Sequence, residues 1–255
     1  MSSQEHGTVV VSGASSGFGL CTARRLAEHG QTVVAVARRG DRLEELARST
    51  SSGRVLPLVA DVRDQDDLER ALDKQLPQCP PVVALVNNAG LSRGFGPVQS
   101  ADPRHWREMV DTNVHGMLNL TSLLLPRLID SGRGHIVNIG SIAASYPYAG
   151  GNVYAATKAF VHQLSLSMRT DLEGTGVRVS CVAPGMARTE FALVRYDGDR
   201  ERADRLYDGV TPLSAEDIAE AVVWCLSRPA HVNVNMIEIM PTDQPFGLGF
   251  ARRHA

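Results

Sequence analysis

Tyr154 and Lys158 stand four residues apart in the run Tyr-Ala-Ala-Thr-Lys, and on a helix that step puts a phenol and an ammonium on one face. A free phenol titrates near pH ~10. A cation held beside it favours the phenolate, so the pair could exchange a proton with a carbonyl or alcohol oxygen. The same spacing also describes a surface tyrosine beside a solvated lysine, and composition argues against that. Of the 26 basic side chains, 24 are arginine and only two are lysine, Lys74 and Lys158. A compact ammonium on a flexible stem suits a crowded site that a planar guanidinium would not fit.

Such a pair needs a partner that moves electrons, and the N-terminal segment offers a place for one. An apolar run, Thr8 to Val11, leads into Ser12-Gly13-Ala14-Ser15-Ser16-Gly17-Phe18-Gly19 and then a helical pattern. Glycines let the backbone approach a pyrophosphate, the amides and dipole of the following helix favour its charge, and Ser15 and Ser16 add hydroxyl donors. Strand, turn and helix in that order make this a dinucleotide-binding turn. At the end of the second apolar run, where an Asp or Glu would select NAD, the chain reads Ala37-Arg38-Arg39-Gly40. Two guanidiniums with no carboxylate at the strand terminus favour the 2′-phosphate of NADP, although Asp41 lies one turn later.

Apolar runs recur near Thr8 to Val11, Thr32 to Ala37, Val55 to Ala60, Val82 to Val86, His135 to Ile139, Val177 to Val182 and Asn235 to Met240, separated mostly by helical patterns. This predicts an α/β chain with a Rossmann-like, doubly wound parallel seven-stranded sheet and helices on both faces. Gly30, Gly174 and Gly176 read as helix stops. With 255 residues and 43% hydrophobic content, one domain over 1–255 is expected. Within it we expect a flexible polar N-terminus at 1–6, a flap at 190–212 and a C-terminal tail at 241–255, where Phe246, Leu248 and Phe250 precede Arg252, Arg253 and His254.

A formal charge of −2 gives no electrostatic reason to bind nucleic acid or an anionic membrane. No apolar run reaches the ~20 residues of a membrane span, and the first residues do not read as an export signal, so a cytoplasmic protein is expected. Cys21, Cys79, Cys181 and Cys225 are widely spaced and the eight histidines show no ligand spacing. Neither disulfides nor a metal site is expected.

The motifs together resemble those of the short-chain dehydrogenase/reductase family: Gly13, Gly17 and Gly19 in its glycine spacing; Asn87-Asn88-Ala89-Gly90 after the fourth strand; Asn113, Ser141, Tyr154 and Lys158 at its catalytic positions; Pro184, Gly185 and Thr189 in its later cofactor segment. Ser12 stands where the family usually has threonine and keeps the hydroxyl. The resemblance spans essentially the whole chain and is closer to the NADP-dependent 3-hydroxy acid (serine) dehydrogenases through Pro147 to Val153, Arg169 to Val179 and Pro229 to Asn235; sulfoacetaldehyde reductases look similar too. It implies that Tyr154 exchanges the proton while a nicotinamide exchanges the hydride, that Lys158 lowers the phenol pKa and holds ribose, that Ser141 bonds the substrate oxygen, and that Asn113 anchors a relay water. It also implies cofactor contacts at Ser15, Ser16, Phe18, Asp61, Val62, Asn87, Ala89 and Gly90, a mobile flap over the substrate, and a homotetramer.

A hydroxy-acid substrate brings a carboxylate that needs a cationic or amide-lined partner. Arg195 is the candidate, with Arg93, Arg188 and the surroundings of Gly151 and Asn152 as alternatives, and Tyr148 as a pocket wall. The expected reaction interconverts a small 3-hydroxy acid and its 3-oxo acid or semialdehyde. Sulfoacetaldehyde reduction, general carbonyl reduction and ketoacyl-carrier reduction remain open, as does a non-catalytic NADPH sensor, although a sensor would usually lack part of the Asn, Ser, Tyr, Lys set.

Overall fold

A computed structural model describes residues 7–246; the expectations for 1–6 and for Leu248, Phe250, Arg252, Arg253 and His254 fall outside them. Seven parallel strands form one sheet in the order β3-β2-β1-β4-β5-β6-β7. They are β1 (Thr8–Ser12), β2 (Thr32–Ala37), β3 (Arg54–Val59), β4 (Val82–Asn87), β5 (His135–Ile139), β6 (Arg178–Pro184) and β7 (Met236–Ile239). The helices are α1 (Gly17–Glu28), α2 (Gly40–Ser49), α3 (Gln65–Gln75), α4 (Pro103–Val110), α5 (Gly116–Asp130), α6 (Asn152–Asp171), α7 (Phe191–Arg195), α8 (Arg200–Arg205) and α9 (Ala215–Leu226).

The central strands are continuous apolar runs because both of their faces are covered: every residue of β1 and β2 is buried. Side chains alternate across the sheet. Val9, Val11, Val33 and Ala35 join Leu26 of α1 and Ile218 and Val222 of α9 on one side. Val10 and Val34 join Leu68 and Leu72 of α3 and Leu120, Leu124 and Leu128 of α5 on the other. Each such leucine stabilises the fold by roughly 2 kcal/mol of removed apolar surface.

Strand order reverses between β1 and β4, so the loops leaving their C-terminal ends diverge and open a crevice there. The expected flap is more regular than its Arg, Asp and Gly content suggested: it carries α7 and α8. Ala192 and Ala203 pack with Met186 and Tyr207, and the Tyr207 hydroxyl donates to the Ala187 carbonyl at 3.0 Å.

Candidate active site

A cavity of about 420 Å³ lies along this crevice. Its floor is the turn after β1. Gly13 has φ +65°, and a Cβ there would stand 2.7 Å from Asn88 Nδ2 and 3.0 Å from Ala89 Cα. The turn is braced by β4: Asn88 Nδ2 donates to the Ser12 carbonyl at 2.8 Å, and the Ser12 hydroxyl accepts from the amides of Asn88 and Ala89 at 3.0 Å each. The serine in place of threonine thus has its hydroxyl fully engaged. Ser16, at the N-cap of α1, makes no side-chain cap bond, and the first turn holds no acidic residue, so the helix start presents its amides without an internal anion.

Gly13, Ser15, Ser16, Gly17, Phe18, Arg38, Arg39, Asp61, Val62, Ala89, Gly90, Pro184, Gly185 and Thr189 all line the cavity. Two expected cofactor residues do not. Gly19 is packed behind the turn, where a Cβ would come within 2.5 Å of the Gly13 carbonyl oxygen. Asn87 points into the protein, donating to Thr121 Oγ1 at 3.0 Å and Asn138 Oδ1 at 2.9 Å; its neighbour Asn88 reaches the cavity instead. Strand alternation explains the swap, since Asn87 is the last residue of β4 and faces the α5 side.

The cavity at the end of β2 is more acidic than the strand terminus alone implied. Arg39 pairs with Glu190 at 2.9 Å, Arg38 lies 3.8 Å from Asp61, and Asp61 is clamped by Arg63, whose hydrogen bonds hold its carboxyl below the usual range. Both carboxylates come from distant chain positions.

At the other end, Tyr154 and Lys158 project from α6 into the cavity with Ser141, which follows β5 and accepts from the Ala143 amide at 3.1 Å. Burial works against the expected acidification of the phenol by the ammonium. Lys158 Nζ donates to the Ile139 carbonyl at 2.7 Å and sits 6.0 Å from the Tyr154 ring centroid. Burial pushes the phenol up to about 12, with the Arg195 charge and the Ser141 hydroxyl opposing. Tyr154 therefore stands as a protonated donor, and Arg195 is the cation that acts on it.

Burial also brings Lys158 down from an ordinary 10.5 to about 8. Across that window the unfolded chain binds the proton that the folded chain has lost, so this residue's contribution to stability rises with pH. Denaturant unfolding of the parent and of Lys158→Met at pH 7 and 9.5 should show the difference moving in the parent's favour at the higher pH. A pH-independent difference would put the ammonium in water.

Asn113 does not line the cavity. It sits in a π-helical turn, Asp111–His115, between α4 and α5, a widening that the sequence pattern did not announce. Its amide donates to the Leu91 carbonyl and Thr157 Oγ1 and its Oδ1 accepts from the Leu91 amide, so the side chain holds the β4 loop to α6.

The cavity beyond Tyr154 is built around Arg195, only 7% exposed. Its Nε donates to Ser92 Oγ and its Nη2 to the Tyr148 hydroxyl, each at 3.1 Å, while the rings of Phe191, Tyr154, Phe95 and Tyr148 lie 5.1 to 6.0 Å from its central carbon. Among the described residues it has no carboxylate partner. The alternatives are otherwise occupied: Arg93 pairs with Glu108 and Asp197, and Arg188 stacks on Tyr207. Asn152 is not at the cavity, because it bonds the Gly96 carbonyl at 3.2 Å and the Val153 amide at 2.7 Å. Sequence reasoning did not single out Glu190, Phe191, Tyr146 or Gln244, all of which line the cavity from parts of the chain without motifs.

The family model described as short chain dehydrogenase matches residues 7–198. The chain belongs to the short-chain dehydrogenase family. This short-chain dehydrogenase is 47% identical over 241 residues to a serine 3-dehydrogenase of Agrobacterium fabrum, covering 94% of this chain and 96% of that one. It is 48% identical to an NADP-dependent 3-hydroxy acid dehydrogenase of Salmonella typhi, with 93% and 96% covered, and 49% identical to a sulfoacetaldehyde reductase of Chromohalobacter salexigens, with 92% and 94% covered. Among solved structures, the closed form of serine dehydrogenase complexed with NADP+ superposes with a TM-score of 0.90 at 44% identity, covering 94% of this dehydrogenase and 96% of that chain. The family and its oxidoreductase chemistry on hydroxyl groups are thus established for the chain.

Proposed function

We propose that this dehydrogenase interconverts a small 3-hydroxy acid, of the serine or 3-hydroxypropionate type, and the corresponding 3-oxo acid or semialdehyde, with NADP(H). The observation that carries the substrate class is Arg195: a buried guanidinium beside the Tyr154 ring, with no carboxylate partner among the described residues, is costly until an anion joins it. Three of its five N–H groups are not used by the bonds to Ser92 and Tyr148, enough for a bidentate carboxylate.

The crevice fits a dinucleotide. The glycine turn leaves no room for a Cβ at Gly13, the α1 amides carry no side-chain cap, and a Cβ on Gly90 would stand 3.5 Å from Lys158 Nζ, so the wall beside the lysine is kept bare. Ser15, Ser16 and Gly17 would hold pyrophosphate, Arg39 and Arg38 a 2′-phosphate, Asp61 and Val62 the adenine end, and Lys158 the nicotinamide ribose. The bound nicotinamide supplies or accepts the hydride.

The chain's own residues do the rest. Tyr154 gives its proton to the substrate oxygen in reduction and takes it back in oxidation, Ser141 donates to the same oxygen as charge develops, and Arg195 fixes the carboxylate so that C3, two carbons along, faces both. Asn113 acts at one remove, by locking the loop after β4 against α6. The work is assigned to the cytoplasm, consistent with four unpaired cysteines. A homotetramer is supported by apolar side chains left exposed on the long helices, Leu118 and Ile129 of α5 and Leu166 of α6. The single continuous sheet of the described residues supports one domain.

A sulfonate would satisfy Arg195 as a carboxylate does, so sulfoacetaldehyde is the second reading. An NADPH-consumption panel of malonate semialdehyde, sulfoacetaldehyde and a neutral ketone, with serine or 3-hydroxypropionate and NADP in reverse, tests both. The carboxylate substrate should give the highest kcat/KM. Preference for the sulfonate moves the assignment to the second reading, and preference for the neutral ketone removes the anion site.

A further inference from the structure

Glu190 occupies a position that the fold alone does not require. It follows the cavity-lining Thr189 and immediately precedes α7, yet its carboxylate reaches across to the other side of the crevice. One oxygen meets Arg39 Nη1 at 2.9 Å and the other meets Arg42 Nη1 at 2.9 Å, so a single carboxylate bridges two guanidiniums. Arg39 is tied in addition to the phosphate-binding turn, donating from Nε to Ser15 Oγ at 3.2 Å. Arg38, the other arginine at the end of β2, makes only a 3.8 Å approach to an Asp61 already held by Arg63.

The geometry points to Glu190 as an internal competitor of the 2′-phosphate, a residue that lowers the enzyme's affinity for the phosphorylated dinucleotide by holding Arg39 and Arg42 until the phosphate displaces it. Two oxygens of a dianionic phosphate present the same acceptor pattern to the two arginines as Glu190 does, with more charge. A carboxylate and a dianionic phosphate, three negative charges in all, cannot share two guanidiniums at that range without repulsion, so binding the phosphate must release the carboxylate or crowd it. The unphosphorylated cofactor makes no such demand and leaves the bridge intact. Glu190 is thus a specificity-determining residue that acts by subtraction. The inference rests on the NADP reading for its physiological meaning, and its test separates the two.

The experiment is calorimetric binding of adenosine 2′,5′-bisphosphate and of 5′-AMP to the full chain, parent and Glu190→Gln, at low ionic strength. Glutamine keeps the volume and removes the charge. Breaking one or two half-exposed ion pairs is worth about fivefold in Kd, so the variant should bind the bisphosphate about fivefold tighter and 5′-AMP unchanged, the latter also reporting an intact site. If the parent prefers the bisphosphate and the variant binds it no tighter, or more weakly, Glu190 is a scaffold for the arginines, and the competitor idea falls while the NADP reading stands. If the parent shows no preference and the variant gains one, the competitor stands and the NADP reading falls. Absence of preference in both overturns the two together.

Discussion

Replacing Tyr154 by phenylalanine leaves a protein that binds NADPH within about twofold of the parent and turns over about 10³-fold more slowly, the range expected for loss of a positioned acid. The size of the effect follows from what surrounds the phenol. It is 8% exposed, its ring lies 5.4 Å from that of Phe191, and burial keeps its proton on up to about 12. Two other phenols of the cavity spend their protons elsewhere, Tyr146 on Glu238 and Tyr207 on the Ala187 carbonyl, while Tyr148 accepts from Arg195. Steady-state rates with a fluorescence titration of NADPH separate chemistry from binding, and turnover within tenfold of the parent would hand the acid role to another group.

Arg195→Met should raise KM about 100-fold for a carboxylate substrate and less than about threefold for a neutral ketone, because a charge-assisted forked contact is worth ~1.5–3 kcal/mol and only the charged substrate loses it. The thermal midpoint of the unliganded variant should not fall, since methionine replaces a buried cation that lacks a carboxylate partner among the described residues. Arg195→Lys should lie between the two, keeping charge and losing the fork. Equal losses for charged and neutral substrates would take Arg195 out of the anion site and leave it a structural clamp on Ser92 and Tyr148.

Much of the fold was legible because its signals are local. Strand runs such as Thr32–Ala37 and His135–Ile139 are buried on both faces and read as unbroken apolar stretches, and the glycine turn advertises the crevice at its own sequence position. Arg195, singled out by charge within the flap that the resemblance implies, lines the cavity. What stayed hidden depends on contacts between distant segments. The choice between Asn87 and Asn88 turns on strand phase at a terminus, where one residue changes the face. Glu190 lies 151 residues from Arg39, and no spacing rule connects them. The direction of the Tyr154 shift also escaped, because burial, which sequence does not report, outweighs the charge that it does. The π-helical turn at Asp111–His115 has a helical pattern on either side and no breaker residue to mark it.

The scarcity of lysine has a practical side once burial is known. Of the two ε-amines, Lys158 is enclosed in the crevice and 6% exposed, while Lys74 lies exposed in the last turn of α3. In a parallel sheet the strands deliver their loops to one edge and the returning helices end at the opposite one, so Lys74 sits on the side away from the cavity. Among the lysines, an acylating dye or an activated resin therefore has one accessible handle, and attachment through it would leave the mouth of the crevice turned toward the solution.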